Sequence, residues 1–132
     1  MIKVPISLVT EFHKAYGLDN NKSPTISLSK EIVSLRHRLM KEETQEYFQA
    51  ASKGDLVETV DALGDMLYIL CGTIICHGCQ DLIEDVFKEI HRSNMSKLDE
   101  NGNPIYRKDG KVLKGPGYSP PKLAEIVQKY IS

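Results

Sequence analysis

The chain has 132 residues, of which 41% are hydrophobic and 27% charged, with 17 Lys and Arg against 18 Asp and Glu, a net charge of −1. That length suits one domain, 1–132, able to bury its own core. The near-neutral balance removes the electrostatic reason to expect nucleic acid or an anionic membrane surface as a partner.

Residues 4–17 read as a first helix, with Ile6, Leu8, Val9 and Phe12 at helical spacing and Gly17 as its stop. A polar loop over 18–25 follows, and Ser27 or Ser29 caps a long second helix that Gly54 ends. Asp55 caps a third helix over about 56–77, with Glu58 three residues on as in a capping box, and Gly78 stops it. Asp81 opens a fourth helix to about Ser96. The composition then shifts: Gly102, Gly110, Gly115 and Gly117 and Pro104, Pro116 and Pro120 break up a tail over about 98–120, where Asn101-Gly102 and Asp109-Gly110 signal turns and a short hairpin. A last amphipathic helix over 121–131 carries Leu123, Ile126, Val127 and Tyr130. The expected fold is all-α: an antiparallel four-helix bundle-like domain with an irregular Gly/Pro-rich basic tail and a short C-terminal helix.

No apolar run approaches the roughly 20 residues of a bilayer span. The opening Met-Ile-Lys-Val-Pro lacks a signal-peptide layout, so a cytoplasmic location is expected. Cys71, Cys76 and Cys79 form no disulfide framework, and Cys76 and Cys79 lack the second pair a zinc site wants. They read as small apolar residues near a helix end.

Two apolar stripes turn acidic. On the second helix Ile32, Leu35 and Leu39 lead into Glu42, Glu43 and Glu46. On the third, Leu56, Val60, Leu63, Leu67 and Leu70 make the stripe expected to face the core, and Glu58, Asp61 and Asp65 share a face beside it. The tight turn at Lys53-Gly54-Asp55 makes the two helices neighbours and sets Glu46 and Asp61 at nearly the same height. Converging carboxylates cannot all stay ionised unless their pKa values rise or a cation joins them. An all-oxygen ligand set points to a hard divalent cation, Mg²⁺, Mn²⁺ or Ca²⁺, and Mg²⁺ commonly shares its coordination with phosphates.

Glu42-Glu43-Thr44-Gln45-Glu46 followed by Glu58-Thr59-Val60-Asp61 resembles the E-E-x-x-E…E-x-x-D pattern of the all-α NTP pyrophosphatase superfamily, and Val-Asp-Ala-Leu-Gly-Asp-Met-Leu-Tyr resembles its MazG-like and phosphoribosyl-ATP pyrophosphohydrolase-like branch. The likeness covers roughly 30–98, and the helical metal-binding core is expected over about 27–97. It implies Mg²⁺, with Mn²⁺ as a substitute, held by Glu43, Glu46, Glu58 and Asp61. Glu42 and Glu43 are the catalytic candidates, with Glu42 as an extra ligand or the group that orients water. Asp65 falls where many relatives carry an Asp, but Ala62 occupies the matching Glu position, so the Glu58–Asp61 register fits better. The activity implied is hydrolysis of a nucleoside triphosphate between its α and β phosphates by a homodimer or homotetramer. A phosphoribosyl-ATP or dUTP enzyme is the alternative within the superfamily, and a helical interaction module with an acidic face is the alternative outside it.

The segment from His91 to Lys114 is locally basic, carrying Arg92, Lys97, Arg107, Lys108, Lys111 and Lys114 against three acids. Lys and Arg suit phosphate oxygens. The run His-Arg-Ser-Asn-Met-Ser-Lys is similar to a segment of MazG-like relatives whose Asn and Lys reach the substrate. Asn94, Lys97, Lys111 and Lys114 are therefore the substrate-binding candidates.

Overall fold

A computed structural model describes residues 2–131. It is all-helical: α1 Lys3–Ala15, α2 Lys30–Ser52, α3 Leu56–Cys76, α4 Ile83–Met95 and α5 Ala124–Tyr130, with no strand among the described residues. This bears out the expected fold class, short C-terminal helix included. The chain divides into two compact units, one up to Asp81 and one from Leu82 on.

In the first unit α3 packs against both α1 and α2. Each of the three helices ends as its sequence predicts. Gly17, Gly54 and Gly78 all have positive φ. The next two backbone N–H groups fold back in the same way each time: Gly17 to Lys14 and Leu18 to His13, Gly54 to Ala51 and Asp55 to Ala50, Gly78 to Ile75 and Cys79 to Ile74. These are Schellman closures, which need a left-handed residue and so favour glycine. Ser29, not Ser27, caps α2 by accepting from the Ile32 N–H, and Asp55 caps α3 by accepting from the Glu58 N–H. A strap over 19–25 then satisfies the last carbonyls of α3. Asn21 donates to Ile75 and Cys76, and Thr25 donates to His77.

The core differs from the expected stripe. Val9, Cys71 and Ile75 form its buried cluster, with Ile2 and Ile6 against it. Ala62 and Ala50 are buried lower on α3 and α2. The stripe of Leu56, Val60, Leu63, Leu67 and Leu70 stays 46–75% exposed. The reason is packing distance: the small residues of α3 let α1 and α2 approach closely, and that turns the large ones outward. Contrary to the absence of a long apolar run, α3 is apolar and long enough by composition to cross a membrane, although only a third of that stretch is buried. The helix of a soluble core or interface passes the same test.

Arg36 holds α2 to α3. It is buried, and it donates from Nη2 to the Ile69 carbonyl and from Nε to Thr73 Oγ1. His13, also buried, donates from Nδ1 to the Asp19 carbonyl. The three cysteines are free thiols, pushed up by burial.

In the second unit Glu89 clamps α4 to the segment before α5. It takes two hydrogen bonds from Arg92 and one from the Lys122 N–H, which lower its carboxyl to about 2. The expected hairpin shrinks to one antiparallel bridge, Tyr106 with Val112, around the Asp109-Gly110 turn. α5 starts at Ala124, three residues later than Pro121 suggested.

Candidate active site

Glu43 and Glu46 lie one turn apart on α2, and Asp61 and Asp65 one turn apart on α3. The tight turn folds these faces together. Carboxylate oxygens of Glu43, Glu46 and Asp65 lie within 4.8 Å of one another. Glu43 is half-buried, and its Oε2 is buried without a hydrogen-bond partner. Its carboxyl is pushed up to about 7, chiefly by burial, then by the hydrogen bond with Glu46 and the charges of Glu46, Asp65 and Asp61. Asp65 is raised as well, by burial and then by Asp61 and Glu46. Asp61 thus acts electrostatically on the group.

This arrangement fits a hard divalent cation. The donors are all carboxylate oxygen, one oxygen has no partner, and the mutual repulsion is what a bound cation would relieve. A cavity of about 290 Å³ opens beside the group, lined by Glu46, Gln49, Ala50, Lys53, Asp55, Glu58, Asp61 and Ala62.

Of the residues expected from the sequence, Glu43 and Glu46 meet in the group of three. Glu46, Glu58 and Asp61 line the cavity, and Glu42 is exposed and outside both. Asp65 completes the group although the motif register passed over it. Its signal was the helical face it shares with Asp61, four residues earlier. Gln49 and Lys53 were missed because no motif covers the turn. In the second unit Asn94 is exposed at the end of α4. Lys97 is half-buried, its carbonyl accepting from the Gly115 N–H at 2.8 Å. Lys114 Nζ lies 4.8 Å from the Tyr118 ring centre, and Lys111 is exposed beside the Tyr106–Val112 bridge.

The raised carboxyl of Glu43 has a consequence for stability. Its ordinary value is 4.5 and its folded value about 7. Between these, the metal-free folded chain holds a proton that the unfolded chain has released, so the group's contribution falls as pH rises through that window. Glu43→Gln should therefore melt above the wild type at pH 7.5 in chelator and match it at pH 4.5. Melting curves at the two pH values check this, and equal curves at pH 7.5 would contradict it.

Two antiparallel helices of an all-α scaffold thus bring carboxylates together beside a polar cavity. A family model for phosphoribosyl-ATP pyrophosphohydrolase matches residues 9–94, well over half of the chain. The chain belongs to that family, within the MazG-like all-α NTP pyrophosphatase superfamily, and is a nucleotide pyrophosphohydrolase. The matched span holds every carboxylate of the group and ends at Asn94, before Lys97, Lys111 and Lys114. No curated protein matches the chain.

Proposed function

We propose that the protein is an Mg²⁺-dependent nucleoside triphosphate pyrophosphohydrolase, releasing a nucleoside monophosphate and pyrophosphate. The observation that carries this is the convergence of Glu43, Glu46 and Asp65 beside the polar cavity. These three, with Asp61, would hold the cation, and Glu58 stands at the cavity wall. A bound Mg²⁺ neutralises phosphate charge and makes an attacking water more acidic. Glu42, exposed beside the group, orients that water. Asn94, Lys97, Lys111 and Lys114 supply cations and donors to the substrate. The whole chain, 1–132, works as one catalytic domain in the cytoplasm.

The family description favours phosphoribosyl-ATP as the second reading of the substrate. Pyrophosphate release from a panel of nucleoside triphosphates, dUTP and phosphoribosyl-ATP, with and without Mg²⁺, separates the two. No release from any of them would overturn both.

A homodimer or homotetramer is part of this reading. Leu63 is 49% and Leu70 46% exposed, and Val4 and Leu8 on α1 are more exposed still. Val4 and Leu8 share one apolar cleft with Leu67. Contiguous apolar surface is rare on monomers, and a stable interface needs about 800 Å² per partner. Leu63→Lys with Leu70→Lys should reduce the mass measured by light scattering to that of one chain and lower the melting temperature, because the lost interface no longer stabilises the folded chain. An unchanged oligomer would place the interface elsewhere.

A further inference from the structure

The cavity beside the carboxylate group contains one basic side chain among its lining residues, Lys53, against Glu46, Asp55, Glu58 and Asp61. Glu46 and Gln49 on α2 and Lys53, the residue that caps its C-terminus in a still helical conformation, follow one another at spacings of three and four, so they form one ridge that runs along the cavity. From Glu46 to Lys53 that ridge is about 10 Å long. At its lower end stands the group of three carboxylates, and at its upper end stand an ammonium and, one turn before it, a side-chain amide. Among the described residues the ion pairs are Lys88–Glu84, Arg92–Glu89 and Arg107–Asp109, and Lys53 takes part in none. Asp55, the nearest carboxylate in sequence, already accepts the Glu58 N–H at 3.0 Å.

We propose that Lys53 and Gln49 are substrate-binding residues that hold the phosphates destined to leave as pyrophosphate. The inference rests on the hydrolytic reading above and extends it to residues that no motif marks. A metal-bound polyphosphate has one end neutralised by the cation. The rest of its charge needs donors within a few ångströms, in a cavity whose other ionisable walls are acidic. Lys53 is the group that can meet it there, because an ammonium is a strong point-charge partner for phosphate oxygen. Gln49 adds an uncharged N–H donor one turn away.

Isothermal titration with Mg²⁺ and pyrophosphate tests this without turnover, alongside steady-state kinetics on the best nucleotide of the panel. Lys53→Ala should weaken pyrophosphate binding roughly tenfold, the usual scale for losing one charged hydrogen bond. Lys53→Arg should stay within about threefold, because the charge is kept. Gln49→Ala should cost less than Lys53→Ala, and Lys22→Ala, on the exposed loop after α1, should change nothing. Unchanged pyrophosphate affinity in Lys53→Ala overturns the proposal. If the melting temperature falls while affinity holds, Lys53 only complements the C-terminal dipole of α2. If Lys97→Ala loses the binding instead, the tail carries the phosphate contact. A wild-type chain that neither binds Mg²⁺–pyrophosphate nor hydrolyses any nucleotide overturns the hydrolytic reading itself, a result distinct from normal binding and turnover in Lys53→Ala.

Discussion

Asp65→Asn is expected to lower Mg²⁺-dependent hydrolysis by two orders of magnitude or more, as much as Glu46→Gln does. Removing one carboxylate from a shared group subtracts a full charge where phosphate charge must be balanced, and a metal ion's stabilisation of that charge is worth several kcal/mol. The fold should survive. Asp65 is half-buried and its carboxyl is raised by burial and by the charges of Asp61 and Glu46, so a neutral isostere removes repulsion from the metal-free chain. Its melting temperature in chelator should match or exceed that of the wild type. Glu58→Gln is the informative comparison. Glu58 lines the cavity with Glu46 and Asp61, whereas the carboxylates that converge are those of Glu43, Glu46 and Asp65. A smaller loss is expected from it. Kinetics of the three variants, with Mg²⁺ titrated, decide the register. Wild-type turnover in Asp65→Asn would remove that residue from the site.

Gly72→Ala should produce the largest loss of stability of any single methyl added to α3. A Cβ there would lie 2.5 Å from Arg36 Nη2 and 2.8 Å from His13 Nε2, both on buried side chains. Neither neighbour is free to move. Arg36 is held by Ile69 and Thr73, and His13 by the Asp19 carbonyl. Relief requires breaking hydrogen bonds to a buried charge, which costs about 3 kcal/mol or more. For a chain of this size that is a fall in melting temperature of roughly 10 °C. Gly64→Ala is the control, because nothing lies within 4 Å of its added Cβ. It should raise stability by about 0.5–1 kcal/mol, the usual gain from alanine over glycine inside a helix. Thermal melts of the two variants against wild type measure both, and equal shifts would contradict the account.

Much of this protein was legible in the order of its residues. Glycine at 17, 54 and 78 marked three helix ends because the closing turn needs a left-handed residue. Ser29 and Asp55 marked two starts because short polar side chains satisfy the first free N–H groups. The brief connection at Lys53-Gly54-Asp55 made α2 and α3 antiparallel neighbours, and equal distances from it brought Glu46 and Asp61 to one height. These are local rules, readable within a few residues of chain.

The rotation of α3 about its own axis was not legible. An apolar stripe of five large residues and a band of small ones lie on different faces of that helix, and either could face inward. Only packing decided it: Ala62, Cys71 and Gly72 admit the neighbouring helices, Arg36 locks the register, and Leu63 and Leu70 are left outside. That same rotation carries Asp65 to Glu43 and Glu46 and sets Glu58 and Asp61 on the cavity wall that Lys53 shares. Which carboxylates converge depends on the angle between two helices and on how closely they approach. That angle and approach come from side chains far apart in sequence, so no spacing within one helix encodes them.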